Sequence, residues 1–227
     1  MKYVAICFTD EKYTKTKERY TTELKSKNIF DEVIPYGPTD IDPDFYNTHK
    51  SFIANNPKGY GYYIWKPYFI LKTLLTLSNG DVLVYGDSGN DMPGTRDECL
   101  GIFNKVIDVN KGIKIIACKQ GWNIRWIKSD LYWKMGWKTF LFAFRFMPEA
   151  ARIVFKKNDE TIAFVKEWLY YATEDYHNID DSPSRFPNLP FFLAHRYDQS
   201  IFSILFHRYK GTRVEFGDIW RAKRLRF

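Results

Sequence analysis

The chain has 227 residues, of which 45% are hydrophobic and 19% aromatic, and its 34 Lys and Arg against 27 Asp and Glu give a formal charge of +7. That length suits one domain over residues 1–227 with a full core, and the apolar and aromatic content excludes a disordered chain. Three cysteines, Cys7, Cys99 and Cys118, are an odd set without a CxxC pair, which excludes a disulfide framework and a zinc knuckle and points to a reducing compartment.

The first residues, KYVAICF, meet Thr9-Asp10-Glu11 at once, too short an apolar run for a signal peptide. The longest apolar stretch, Thr139 to Met147, carries Arg145 and is under half of the roughly 20 residues that cross a bilayer. A cytoplasmic protein is expected. From His195 to Phe227 eight basic residues face three acids, so a basic C-terminal tail over about 218–227 is expected, either solubilising or directed at a polyanion.

In chain order, residues 2–8 read as a strand buried on both faces and Glu11 to Lys27 as a charged helix, the opening of an α/β fold. Glu32 to Tyr36 is a second strand, with Pro35 marking an edge, and Asp44 to Asn55 a helix after Asp42-Pro43. A glycine and tyrosine loop, Asn56 to Tyr63, leads into a helix over Tyr68 to Leu77, with Pro67 in its first turn. Asp81 to Tyr85 is a third strand. Thr95 to Val109 reads as a helix, Gly112 to Cys118 as a strand, and Trp122 to Trp137 as a helix. Phe140 to Phe146 and Ala151 to Phe155 look like two strands separated by Met147-Pro148-Glu149. A helix capped near Asn158 runs to Tyr171 with Phe164, Trp168 and Tyr171 on one face, and Ile179 to Pro190 is a loop. Gln199 to Tyr209 is the last helix and Arg213 to Phe216 the last strand.

Three segments could carry chemistry. Strand 81–85 runs directly into Gly86-Asp87-Ser88-Gly89-Asn90-Asp91, so carboxylates sit at the carboxyl end of a strand, where open α/β sheets bind ligands and where oxygen donors could hold magnesium or manganese. The structural alternative is a tight turn capped by Asp87. His195 to Ser200 places five polar side chains at the start of an apolar helix, an anion site to which Arg196 would add, or simply a helix cap. Gly59 to Pro67 offers an aromatic wall with Lys66, or core packing. It is no GxGxxG fingerprint, because position 64 is Ile, and no P-loop, GxSxG or HExxH occurs. His49, His177 and His207 have no paired spacing and read as solvated or core residues.

The motifs YYIWKPYFIL, DVLVYGDSG and HRYDQSIFSIL together resemble a family of nucleotide-sugar glycosyltransferases with the GT-A fold, found in bacterial and large-virus polysaccharide pathways. The resemblance runs from Met1 to about Gly217. It implies a single Rossmann-like mixed sheet flanked by helices, and transfer of a sugar from a nucleoside diphosphate, expected to be UDP, to a hydroxyl of a glycan or glycoconjugate. A divalent Mn2+ or Mg2+ would assist. The usual metal motif of such enzymes is Asp-x-Asp, and here the second Asp is Gly89. On this resemblance Asp87 is the expected ligand for metal or ribose, with Asp91 or His195 as extra metal ligands. Lys66, His195 and Arg196 belong to the donor site with Asp87, Ser88 and Gly89, while Phe8, Thr9 and Trp65 would hold base and ribose. Asp198 and Gln199 would lie near the anomeric carbon, with a lean towards retention of configuration.

Two other readings use the same residues. One is a basic, aromatic module for polyanions, against which no nucleic-acid-binding pattern interleaves with the basic residues, so no nucleic-acid partner is expected. The other is a metal-dependent phosphohydrolase built on Asp87 and Asp91. The cluster of Trp, Phe and Lys over Trp122 to Phe146 is either core, the acceptor side, or a peripheral contact with a membrane carrying a lipid-linked glycan.

Overall fold

A computed structural model describes residues 1–108 and 113–222. Strand β1 (Tyr3–Phe8) pairs in parallel with β2 (Glu32–Tyr36) on one side and β3 (Val82–Gly86) on the other. Beyond β3 lie the long β5 (Phe146–Lys156), antiparallel to both neighbours, then β4 (Ile115–Trp122) and the two-residue β6 (Thr212–Arg213), in the order β2-β1-β3-β5-β4-β6. Pro35 does lie on the edge strand, where its missing N–H costs no ladder bond to a further neighbour.

Alternation along β1 divides the core. Val4, Ile6 and Phe8 face one layer and Ala5 and Cys7 the other, all of them buried. The first layer packs against α3 (Trp65–Thr76), α6 (Asp159–Glu174) and α7 (Tyr197–Arg208). The second packs against α1 (Thr14–Ser26), α4 (Arg96–Phe103) and Trp220. Helix α2 (Pro43–Asn55) follows β2 with Pro43 at its first position. Asn158 Oδ1 accepts from Thr161 N at 2.7 Å and caps α6, whose Phe164 and Trp168 are fully buried. Among the described residues no helix is long and apolar enough to cross a membrane.

The region from Trp122 to Phe155 departs from the sequence-based expectation. Instead of one helix over 122–137 there is a 3-10 turn at Asn123–Arg125 and a short α5 (Ser129–Lys134). The segment expected as a strand over Phe140 to Phe146 is a 3-10 helix, Trp137–Phe144. Its alternating aromatic residues suit either state, and in the helical one Thr139 and Ala143 turn inward, with Thr139 Oγ1 donating to Tyr132 O at 2.9 Å. Met147-Pro148-Glu149 does not interrupt β5. Pro148 opposes Lys119 between two register shifts of β4, a bulge at which a missing N–H is tolerated. The last strand shrinks to Thr212–Arg213, and helix α4 stops at Phe103 before a 3-10 turn, Asn104–Val106. Val109 and Gly112, expected as the ends of a helix and a strand, lie outside the described residues.

The expected basic tail is in part packed. Trp220 is fully buried against Phe103 and Phe216, and Arg221 pairs with Asp91, while Lys223, Arg224 and Arg226 lie outside the described residues.

Candidate active site

The carboxyl ends of β1 and β3 open into a cavity of about 630 Å³. Its floor is Asp87, Ser88 and Gly89, held where β3 ends: Asp87 N donates to Ala151 O at 2.9 Å, and Asn90 N donates back to Asp87 O at 3.0 Å to close the turn. Arg19 clamps this turn from below, donating to Ser88 O at 2.8 Å and Asn90 O at 2.5 Å.

One wall is the glycine and tyrosine segment. Gly59, Tyr60, Gly61, Tyr62 and Tyr63 all have positive φ, between 51° and 79°, so the chain makes a left-handed turn just before α3. For the three tyrosines such a backbone costs roughly 1–2 kcal/mol each. A side chain at Gly61 would meet Ile53 at 2.9 Å, which is why Gly stands there. Trp65 Nε1 donates to Gly59 O at 2.8 Å and ties the turn to the helix, and Phe8 stacks on Trp65 with ring centroids 4.0 Å apart. Helix α3 thereby enters the core with Lys66 in its first turn.

Lys66 is the centre of the site. Its side chain is 4% exposed, and Nζ lies 3.4 Å from Asp198 Oδ2 and 3.5 Å from Asp87 Oδ1. It donates to Ala150 O at 3.2 Å and sits 5.0 Å from the Tyr63 ring and 5.3 Å from that of Tyr85. Burial works against its charge, but Asp198 and Asp87 outweigh burial and raise its pKa. Asp87 Oδ1 also accepts from Tyr85 OH at 2.5 Å, and the Asp87 side chain is 37% exposed to the cavity. Burial pushes the Asp198 carboxyl up to about 7, with Lys66 pulling it down and Asp87 pushing it further up. Asp198 is therefore a carboxyl that changes charge near neutral pH beside a fixed cation.

Asp198 and Gln199 occupy the first turn of α7. Tyr197, just before them, has a φ of 49° and stacks on Tyr62 at 5.2 Å, so the left-handed turn and this helix start hold each other. Gln199 Nε2 donates to Gln120 Oε1 at 2.5 Å and to Pro148 O at 2.9 Å. Arg196 reaches the cavity wall with its guanidinium 4.1 Å over the Trp126 ring.

Among the described residues two buried oxygens at the cavity, Thr9 Oγ1 and Asp10 Oδ1 at the end of β1, have no hydrogen-bond partner, and Asp198 Oδ2 has only the Lys66 ammonium at 3.4 Å. An unsatisfied buried polar group costs about 1–3 kcal/mol, which makes the end of β1 a place where a ligand's polar atoms can repay it.

The cavity brings together Phe8, Thr9, Trp65 and Lys66 with Asp87, Ser88 and Gly89, and with Arg196, Asp198 and Gln199. It does not include Asp91 or His195. Both Asp91 oxygens are held by Arg221, Oδ1 at 3.1 Å and Oδ2 at 2.6 Å, so this carboxylate does not stand beside Asp87 as a ligand pair. His195 is 5% exposed, donates Nε2–H to Asn178 O at 2.8 Å and accepts from Lys128 N at Nδ1. With both nitrogens used it has no lone pair left for a metal. Burial, helped by Lys128, drives its pKa down to about 3, so it is a neutral pin. His49 and His177 are buried and, like His207, hydrogen-bonded within the protein.

Sequence reasoning missed Asp10, Gln120 and Glu149, all at the cavity. Asp10 directly follows Thr9 and was legible as part of the same strand end. Glu149 was hidden by reading Met147-Pro148-Glu149 as a linker. It is buried on β5 and paired with Arg152, and burial raises its pKa against the pull of Arg152.

No family model and no curated protein matches the chain. Among solved structures, the apo glycosyltransferase GlyE of Streptococcus pneumoniae TIGR4 superposes over 95% of this chain and 45% of its own, with a TM-score of 0.50 at 13% identity. The chain has the GT-A fold. It spans under half of GlyE. Mouse xyloside xylosyltransferase 1 aligns over 93% of this chain and 71% of its own, at 9% identity and a TM-score of 0.47. A glycosyltransferase involved in glycosylation of the major capsid of PBCV-1 aligns over 94% and 81%, at 10% identity and 0.47. In this GT-A chain the cavity lies at the carboxyl ends of the parallel strands, the edge at which α/β sheets take ligands.

Proposed function

We propose that the protein is a glycosyltransferase that moves a sugar from a nucleoside diphosphate, UDP, to a hydroxyl group of a glycan. The observation that carries this reading is the buried Lys66, set between Asp87 and Asp198 in a cavity whose orphaned oxygens, on Thr9 and Asp10, lie at the end of β1. A nucleoside offers hydroxyl and N–H donors to those two oxygens, and a diphosphate offers negative charge to Lys66 and Arg196.

The barrier to transfer lies in breaking the anomeric C–O bond while charge builds on the departing diphosphate. Fixed cations in a site shielded from water lower it by electrostatic stabilisation. In this reading Lys66 and Arg196 face the phosphates, and Phe8 with Trp65 supports the base and ribose. Asp198, ionised above about pH 7, lies beside the anomeric carbon and Gln199 positions the neighbouring backbone. Retention of anomeric configuration is the expected outcome, and NMR of donor and product reads it directly.

Among the described residues no cluster of three or more His, Cys, Asp or Glu is placed to hold a metal. The donor that is present, the cavity-facing Asp87 carboxylate, offers hard oxygens of the kind Mn2+ and Mg2+ take, and it fits an ion shared with the diphosphate. Asp87 would hold it. Such an ion supplies further neutralisation of the leaving group.

The test is the melting temperature with Mn2+ alone, UDP alone and both together, since a ligand that binds only the folded state raises it. Two carboxylates straddling a lysine bind a free ion weakly, so little shift is expected from Mn2+ alone and the largest from the pair. No response to UDP in either condition overturns the UDP assignment. A panel of UDP-sugars with released UDP as readout then identifies the donor.

A further inference from the structure

The 3-10 helix Trp137–Phe144 presents large apolar side chains to solvent: Trp137 is 66% exposed, Leu141 71% and Phe144 70%. At three residues per turn Lys138, Leu141 and Phe144 share one face, while Thr139 and Ala143 point into the protein. Trp133, 53% exposed, joins the patch through Phe140, their ring centroids 5.0 Å apart. Beside it a cleft of about 380 Å³ opens between Met135, Trp137 and Phe142. Contiguous apolar exposure of this kind marks an interaction surface.

Charge identifies the partner. Residues 119–146 hold six Lys or Arg and one acid; Lys128 and Asp130 are both buried in internal pairs, with Asp180 and His177, and Lys134 pairs with Glu174, which leaves Lys119, Arg125, Lys138 and Arg145 as the surface cations of this stretch. Lys138 and Arg145 are exposed within the patch itself, and Lys138 Nζ lies 5.8 Å over the Trp137 ring. Exposed Trp, Phe and Leu alternating with basic side chains match the boundary of an anionic bilayer, where rings enter the headgroup layer and long cationic side chains reach phosphate. Asn123 ties the 3-10 helix to the cavity rim: its N–H donates to Arg145 O, its side chain donates to Phe142 O, and its own carbonyl accepts from Trp126, which carries Arg196.

We propose that the face made by Trp133, Trp137, Lys138, Leu141, Phe144 and Arg145 docks the protein on an anionic lipid bilayer, next to the rim at which an acceptor enters. The docking is independent of the donor chemistry and is read without any nucleotide sugar.

The experiment is co-sedimentation with phosphatidylcholine vesicles, with and without about one third phosphatidylserine, at low and at roughly 0.5 M salt. The wild-type protein is expected to pellet with the anionic vesicles, at least about tenfold less with phosphatidylcholine alone, and to be released by salt. Leu141→Asp with Phe144→Asp is expected to weaken binding about tenfold or more, and Lys138→Glu with Arg145→Glu by a similar factor. Leu75→Asp, at an exposed apolar residue on α3, leaves it unchanged. Wild-type protein that stays in the supernatant with anionic vesicles overturns the proposal, as do patch variants that bind like wild type. An unaltered melting temperature checks that the variants are folded. If the vesicles bind and UDP has no effect on melting, the docking face stands and the donor reading falls.

Discussion

Among the described residues two buried lysines, Lys66 and Lys128, meet carboxylates, and they are used differently. Lys128, at the start of α5, donates to Asp180 Oδ1 at 3.0 Å, to His177 O at 3.2 Å and to Ser182 Oγ at 3.4 Å, so all three protons are taken. It pins the loop after Tyr176–Asn178, and nothing around it opens into the cavity. Lys66 has one hydrogen bond, to a carbonyl, and its two carboxylates stand off at 3.4 and 3.5 Å against an open cavity. The contrast shows that burial of a charge is not itself a sign of function. What separates the two sites is unused hydrogen-bonding capacity facing space.

The largest effect is expected at Lys66. Replacing it by Met should lower kcat about 10²- to 10³-fold, as the loss of one preorganised charge does. Stability should change little, because Asp198 can take a proton and relieve the pair. Lys128→Met should do the reverse, costing about 2 kcal/mol through the uncompensated, partly exposed Asp180 and lowering Tm by about 4–8 °C, with kcat intact. Equal behaviour of the two variants in both assays would erase the distinction.

Asp198 sharpens it. Activity of the wild type should rise with pH through about 7 as the carboxyl ionises, and Asp198→Asn should remove that limb along with most of the turnover. Stability moves the opposite way. A carboxyl whose folded pKa lies above its unfolded one favours the fold below the ordinary carboxylate range and loses that contribution as pH rises to about 7, so the Asn variant should flatten the fall in stability over that interval. A smaller effect separates the two aspartates of the turn: Asp87→Asn should abolish the joint shift in Tm given by UDP and Mn2+, whereas Asp91→Asn should keep it and lose only the pairing with Arg221. The smallest expected change is Gly61→Ala, about 1–2 kcal/mol from the positive φ and the contact with Ile53.

Much of the fold could be read along the chain wherever apolar runs were short and bounded. The strands at 3–8 and 82–86 came from such runs, because strands buried on both faces are apolar throughout, and the half-exposed edge strand at 32–36 was marked by Pro35. Trp122 to Phe155 could not be read, since its aromatic and basic residues satisfy helical and extended patterns equally and a proline bulge sits inside β5. At the site, Asp87 and Lys66 were visible as a strand end and a helix start. Glu149 was not, being placed by an antiparallel crossing some sixty residues further on.

Local apolar periodicity and turn chemistry act over a few residues, so which residue types end the strands and open the helices was written along the chain. Folding in three dimensions brings Lys66, Asp87 and Asp198 to one point, spends His195 and Asp91 on internal bonds, and turns Trp137, Leu141 and Phe144 outward. Those outcomes depend on distances between segments far apart in the chain and on competition for hydrogen-bond partners, neither of which a linear pattern encodes.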